Sequence, residues 1–221
     1  QIIGRYIGED IKDKNGEILI GAGFDITEEQ LEKILSHEVK EINIVNGSKT
    51  GLYQEFHRNN QTRIKANYSS NEQNWTEEEY NEKGVLISER KFKNGMKSGS
   101  WKSYSQKGRL TEKADYQNGK LDGKKTYYND KEKVIKVEEY TRGKINGEVT
   151  VYHPNGKLLE KTAFKFGRKD GEYTRHYKNG TIEIEGVYKR NEKDKEWKFY
   201  DKKGTITKIE VWSFGRLKET N

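Results

Sequence analysis

From Gly51 onward, aromatic and aliphatic residues return every 24 positions without an insertion, in units that begin at residues 51, 75, 99, 123, 147, 171 and 195. Seventeen residues into each unit stand Tyr68, Phe92, Tyr116, Tyr140, Phe164, Tyr188 and Trp212, although aromatics make up only 11% of the chain. Five residues in come Phe56, Tyr80, Tyr104, Tyr128, Tyr152, His176 and Tyr200. Eleven residues in come Thr62, Leu86, Leu110, Val134, Leu158, Ile182 and Ile206. Apolar columns that keep register over seven units are the expected buried positions of a repeat array.

Turn-forming residues punctuate the same period. Position twenty holds Asn71, Gly95, Gly119, Gly143, Gly167, Asn191 and Gly215. Asn is the non-glycine residue most tolerant of positive φ, so this column predicts a left-handed backbone. Position nine holds Asn60, Gly84, Gly108, Gly156, Gly180 and Gly204, often after Asn or Lys, which suits type I′ hairpin turns. Glu132 interrupts that column, and Asn129 with Asp130 is expected to take over the turn there.

Between the turns each unit has two short stretches rich in aromatic and β-branched residues, such as Ser100 to Ser105 and Arg109 to Tyr116. They read as two antiparallel strands per unit. The expected fold is mainly β: an elongated antiparallel meander of seven hairpin repeats. Its fourteen strands, at about 4.8 Å each, span on the order of 65 Å. Positions two and five of a unit, as in Trp101 and Tyr104, have opposite strand parity. Either a bulge or a sheet covered on both faces reconciles them.

The spacing of Gly99, Trp101, Tyr104, Gly108, Leu110, Tyr116, Gly119 and Gly123 resembles the bacterial variant of the MORN repeat, including YwqK-type antitoxin-like proteins. The resemblance covers residues 51–218, and Asn60, Thr62, Asn71 and Lys195 depart from the pattern in the first and last units. It implies a non-enzymatic binding or scaffolding array with a protein partner, in its sharpest form a toxin.

Residues 1–46 do not follow the period. Gly4 to Asp10 and Glu17 to Ile20 look extended around an Asn15-Gly16 turn, and Glu41 to Val45 alternates as a last strand. A helix is predicted near 27–36, with Thr27 and Gln30 as a capping box and Leu31, Ile34 and Leu35 as its apolar stripe. Gly4-Arg5, Glu9-Asp10-Ile11, Gly16-Glu17, Ala22-Gly23 and Ile26-Thr27-Glu28-Glu29 resemble a small module of bacterial RNA polymerase large subunits. The organisation read from the sequence is therefore a small α+β module over 1–46, a linker over 47–50 and the array over 51–221.

Composition sharpens this picture. Only 30% of residues are hydrophobic and 36% are charged, which suits a thin, wet sheet better than one thick core. The chain has no Cys, so disulfides, thiolate nucleophiles and cysteine zinc sites are excluded. No apolar run reaches the roughly 18 residues that cross a bilayer. Because the chain starts without Met, a processed or trimmed terminus is expected, which leaves room for a targeting segment lost before it; cytoplasmic and cell-surface or secreted locations both stay open. Residues 1–50 carry six basic and ten acidic residues, leaving 37 basic and 26 acidic beyond them, net +11.

The sequence offers no catalytic constellation. His37, His57, His153 and His176 are scattered, and in the repeats a packing or surface role accounts for them better than catalysis. No phosphate loop, cofactor motif or metal-ligand spacing occurs. Two binding surfaces remain. Trp75, Tyr127, Phe166 and Phe214 lie off the packing columns or in irregular units and are candidate anchors for a protein partner; local packing is the plainer reading for each. Lys120, Lys124, Lys125, Lys144, Lys165, Arg168 and Lys169 gather near successive inter-unit turns and are candidates for anionic lipid or nucleic acid. Asp122, Glu148, Asp170 and Glu172 share those regions and oppose that stripe. An open sheet edge also permits an edge-to-edge homodimer.

Overall fold

The computed structural model describes residues 6–7, 10–12, 15, 18–20, 27–36, 44–45, 51–70 and 73–221. The chain divides into two compact units: residues 1–96 with 106–108, and residues 97–105 with 109–221. In the first unit, Tyr6–Ile7 pairs with Ile44–Val45 and Ile11–Lys12 pairs with Ile18–Ile20, both antiparallel. The helix Glu28–Ser36 begins as expected. Thr27 Oγ1 accepts from the Gln30 amide at 3.2 Å and Gln30 Oε1 accepts from the Thr27 amide at 3.0 Å, so two of the free amide donors at the start of the helix are satisfied reciprocally. Ile34 is buried together with Ile11 and Ile20. Gly16, residues 46–50, Asn71 and the Leu35 side chain lie outside the described residues.

The first unit then carries four antiparallel strands, Gly51–Phe56, Thr62–Tyr68, Trp75–Tyr80 and Leu86–Lys93, each paired with the next. The second unit is a longer meander of the same kind, running from Gly99–Tyr104 and Leu110–Gln117 to Ile206–Ser213 and Arg216–Thr220. The fourteen expected strands are present, two per repeat. A register slip falls between positions four and five of every repeat, for instance between Ser103 and Tyr104 and between Phe199 and Tyr200. The side-chain partners place the two rows. Tyr173 at position two reaches Glu160 at position thirteen, whereas Tyr200 at position five reaches Glu185 at position fourteen. Both devices left open by the sequence are therefore used: a bulge in each hairpin, and aromatic rows on opposite faces.

The turns differ from the reading of position nine. Only that residue is left-handed in the intra-repeat turns, from Asn60 (φ 62°) to Gly204 (φ 88°), and Glu132 itself adopts φ 57°. The fourth turn is not relocated. Asn129 Oδ1 accepts from the amides of Lys131 and Lys133, and that Asx geometry carries Glu132 through an unfavourable conformation. Type I′ turns, which need two successive positive φ values, lie instead between repeats, as at Asn118 (φ 49°) and Gly119 (φ 79°).

A second slip falls between positions fourteen and seventeen in the second unit, as between Thr162 and Phe164. The first residue of the next repeat faces it: Gly171 has φ 124°, and a Cβ there would sit 2.8 Å from that of Ala163. Gly171→Ala is expected to cost about 1–2 kcal/mol by urea denaturation; a neutral result would show that the bulge relaxes freely.

The buried column is also not one of the three periodic ones. Positions five, eleven and seventeen are mostly half-buried, and Phe56 and Ile206 are exposed. In the first unit Ala66 at position fifteen and its cross-strand partner Tyr53 at position two are buried; in the second, position fifteen buries Ala114, Glu138 and Thr162, and position two, on that unit's same face, buries Tyr173 and Trp197. A single sheet has no second layer to cover it, so rings from neighbouring strands lie over small residues in between.

Candidate interaction surface

Column fifteen organises one face of the second unit. Where its residue is small, rings close over it. Trp197 is 2% exposed and lies on Gly186, its Nε1 donating to the Val187 carbonyl at 3.1 Å. Tyr173 and Tyr188 surround it at centroid distances of 5.2 and 4.9 Å. Where the residue is a carboxylate, hydroxyls and ammonium groups converge on it. Glu138 accepts from Tyr127 Oη at 3.0 Å and Tyr140 Oη at 2.9 Å and pairs with Lys136 at 2.6 Å. Glu210 accepts from Trp212 Nε1 at 3.0 Å and pairs with Lys208 at 2.7 Å and Lys193 at 3.3 Å.

The electrostatics of this face oppose proton transfer. Burial works against ionisation of Glu138, but Lys136 and the hydroxyls of Tyr140 and Tyr127 outweigh it and hold the carboxyl below its usual range. The ammonium of Lys208 does most to lower Glu210. Burial and the Glu160 carboxylate push the Tyr173 hydroxyl up to about 12. A general acid or base works best with its pKa near the operating pH, and these groups move away from it. The repeat histidines serve the backbone. His57 Nε2 donates to the Tyr80 carbonyl at 2.8 Å and His153 Nε2 to the His176 carbonyl at 2.9 Å, because a carbonyl can only accept. Among the described residues, no group of three or more His, Asp or Glu could hold a metal ion.

The four aromatic candidates occupy three settings. Trp75, in the first unit, is stacked between Phe92 at 4.1 Å and Tyr68 at 5.4 Å, and its indole nitrogen is buried without a hydrogen-bond partner. Tyr127 belongs to the Glu138 cluster. Phe166 and Phe214 are the first corner residues of type I′ turns, 76% and 73% exposed, at φ 50° and 47°. A phenylalanine in that region is an outlier; the other left-handed first corners are Asn94, Asn118, Arg142 and Arg190. Phe166→Asn is expected to raise stability by about 1 kcal/mol in thermal melts; a loss of stability would mean that the ring packs usefully where it stands.

The basic candidates separate into two groups. Lys120, Lys144 and Arg168 are exposed at matching positions just after successive turns, with Lys165 exposed just before one. Lys125 is drawn to Glu112 at 3.1 Å, and Lys169 lies 4.8 Å from the Tyr188 ring. Lys124, though exposed, is 3.9 Å from Glu139. The opposing acids are partly absorbed: Asp122 accepts from the Arg142 amide, Asp170 faces Lys165 at 3.7 Å and Glu148 pairs with Lys161 at 2.6 Å. The sequence reading missed Arg142, Lys189, Arg190 and Arg216, which flank the same turns. Their position within the period was the signal.

No curated protein matches the chain. A family model described as the MORN repeat variant matches residues 145–165 and 169–190. The two matched segments start 24 residues apart, at Ile145 and Lys169, and each runs from just after one inter-repeat turn towards the next. They carry neither the YwqK-type nor the polymerase-module resemblance. What the match supports is a repeat-containing binding or scaffold protein, with MORN-variant repeats in the hairpins of residues 145–190.

Proposed function

We propose that this chain is a non-enzymatic recognition scaffold that holds a protein partner on the aromatic face of its second unit. The observation that carries this reading is the state of the rings. Trp101, Tyr116, Tyr127, Tyr140, Phe199 and Trp212 are each half-buried, so they keep contact area to offer. They are also fixed: Trp101 packs against Tyr116 at 5.1 Å with Lys97 above it, and Lys208 covers Phe199 at 4.0 Å. Side chains immobilised before binding lose little entropy on association, and aromatic residues are the preferred anchors of protein interfaces. In the sharper form of the proposal the partner is a toxin that the face occludes.

Affinity capture from native lysate with the full chain, washed at high salt, tests the reading against Phe199→Glu. A defined protein retained by the wild type and lost with Phe199→Glu, at nearly unchanged melting temperature, supports face binding. Inhibition of that partner's enzymatic activity on addition of the chain supports the toxin version. Capture that is indifferent to Phe199 sinks the assignment of the face.

A further inference from the structure

The inter-repeat turns of the second unit form a ladder of their own. The amides of Gly119, Gly143, Gly167, Asn191 and Gly215 donate to carbonyls just after the preceding inter-repeat turn, those of Lys97, Leu121, Ile145, Lys169 and Lys193, at 2.7–3.0 Å. Each turn is thereby tied to the next, and successive turns advance by two strands, about 10 Å. The five turns 117–120, 141–144, 165–168, 189–192 and 213–216 contain eight basic residues against one acidic, net +7 in twenty residues. The four opposite turns 129–133, 153–157, 177–181 and 201–205 contain six against three, net +3 in the same number. All eight basic residues of the first set are exposed. The turns of one edge therefore carry more net positive charge than those of the other, in a row that follows the twist of the sheet, with Asp122 and Asp170 just beyond it.

Phe166 and Phe214 stand in that row, two turns apart, about 19 Å at the usual strand spacing. The type I′ geometry favours Asn or Gly at their positions, so the exposed rings are held out against local preference. We propose that this edge binds single-stranded nucleic acid, with phosphates on the Lys and Arg side chains and unpaired bases stacked on the two Phe rings. Aromatic platforms set among cations along a line are the elements such binding requires, and stacking tolerates any base. A protein partner fits this edge poorly. Two isolated rings, each bracketed by cations, make no contiguous apolar centre of the kind that dominates protein interfaces. A bilayer fits poorly as well. Adjacent strands rotate by roughly 20–25°, so four strands turn Phe214 by about 80–100° relative to Phe166, and a plane cannot receive both while a flexible strand can.

The test uses the full chain and a fluorescently labelled oligothymidylate of about 12 nucleotides, within the usual footprint of such sites. Anisotropy is read at about 50 and about 200 mM salt, where phosphate-driven binding should fall steeply. Phe166→Asn/Phe214→Asn, with melting temperature at or above the wild type's, should weaken binding at least about 30-fold for two lost stacking platforms. Lys144→Gln/Arg168→Gln should lower the slope of log affinity against log salt by about 1.4. Heparin, a polyanion without bases, should compete but show no dependence on the rings. Absence of oligonucleotide binding at low salt overturns the proposal, and so does unchanged affinity in the double Phe variant. Retention on phosphatidylserine vesicles that depends on the rings, without oligonucleotide binding, reassigns the edge to a membrane. Capture of a protein on the aromatic face is unaffected by these variants, so the two assignments fail separately.

Discussion

Trp197→Ala should lower the stability of the second unit by about 3–5 kcal/mol, measured by urea denaturation followed by far-ultraviolet circular dichroism. Trp197 is the most completely buried large side chain described in that unit, and its indole hydrogen bond to Val187 would be lost with it. The ring also protects Tyr173 and Tyr188, whose contacts with it would open to water. The complementary change is Gly186→Ala. An added Cβ would fall within the indole, against Cδ2, Cε2 and Cγ, so the ring must move or the strand must shift. Overpacking of this kind costs about 1–3 kcal/mol. Gly186 has no left-handed φ to explain it, so steric room beneath the indole is the reason for glycine there. The double variant should be less destabilised than the sum of the two, because the alanine methyl then occupies space the indole has vacated. Strict additivity would show that the two residues do not share one packing site.

This pair also shows where the sequence stops being legible. The period, the strand count and the left-handed column at position twenty could be read because each repeats one residue type for one reason. Position fifteen repeats a location instead. In the second unit Ala114, Glu138, Thr162, Gly186 and Glu210 are small, hydroxylic or charged in turn, yet all lie on its aromatic face, three of them buried. Burial there is conferred by neighbours: a small residue where an indole lies flat, a carboxylate where hydroxyls and ammonium groups converge. Only cross-strand register reveals that.

The turns were legible in part for a similar reason. Glycine announces positive φ but not how many residues share it, so single left-handed positions and two-residue turns look alike in sequence. Glu132 and Phe166 adopt that conformation without announcing it. Of the candidate site, the departure of Phe166 and Phe214 from the packing columns was visible. Their exposure, and the separation of edge lysines from lysines committed to Glu112 or the Tyr188 ring, required the fold.

Glu138 supplies the second large effect. Glu138→Leu keeps an approximate volume but removes the one acceptor shared by Tyr127, Tyr140 and Lys136. Hydrogen bonds to a charged group are worth about 1.5–3 kcal/mol each at most, and the tyrosines, only half-buried, can turn to water, so a net loss of about 2–3 kcal/mol is expected at neutral pH. The pH dependence separates a charge effect from a packing effect. The folded-state pKa of Glu138 is depressed, so its contribution is fully present above the unfolded value of about 4.3 and is lost as pH falls through the lower folded value. The stability gap between wild type and Glu138→Leu should therefore stay level from about pH 7 to about pH 5 and narrow below about pH 4. A gap that persists unchanged into strong acid would mean that leucine merely packs badly, and that the carboxylate does not tie Tyr127, on strand Lys120–Tyr128, to its own strand Val134–Thr141. A gap that closes in acid would identify an ionised side chain as the fastener of the face, replacing the second layer of core that a single sheet does not have.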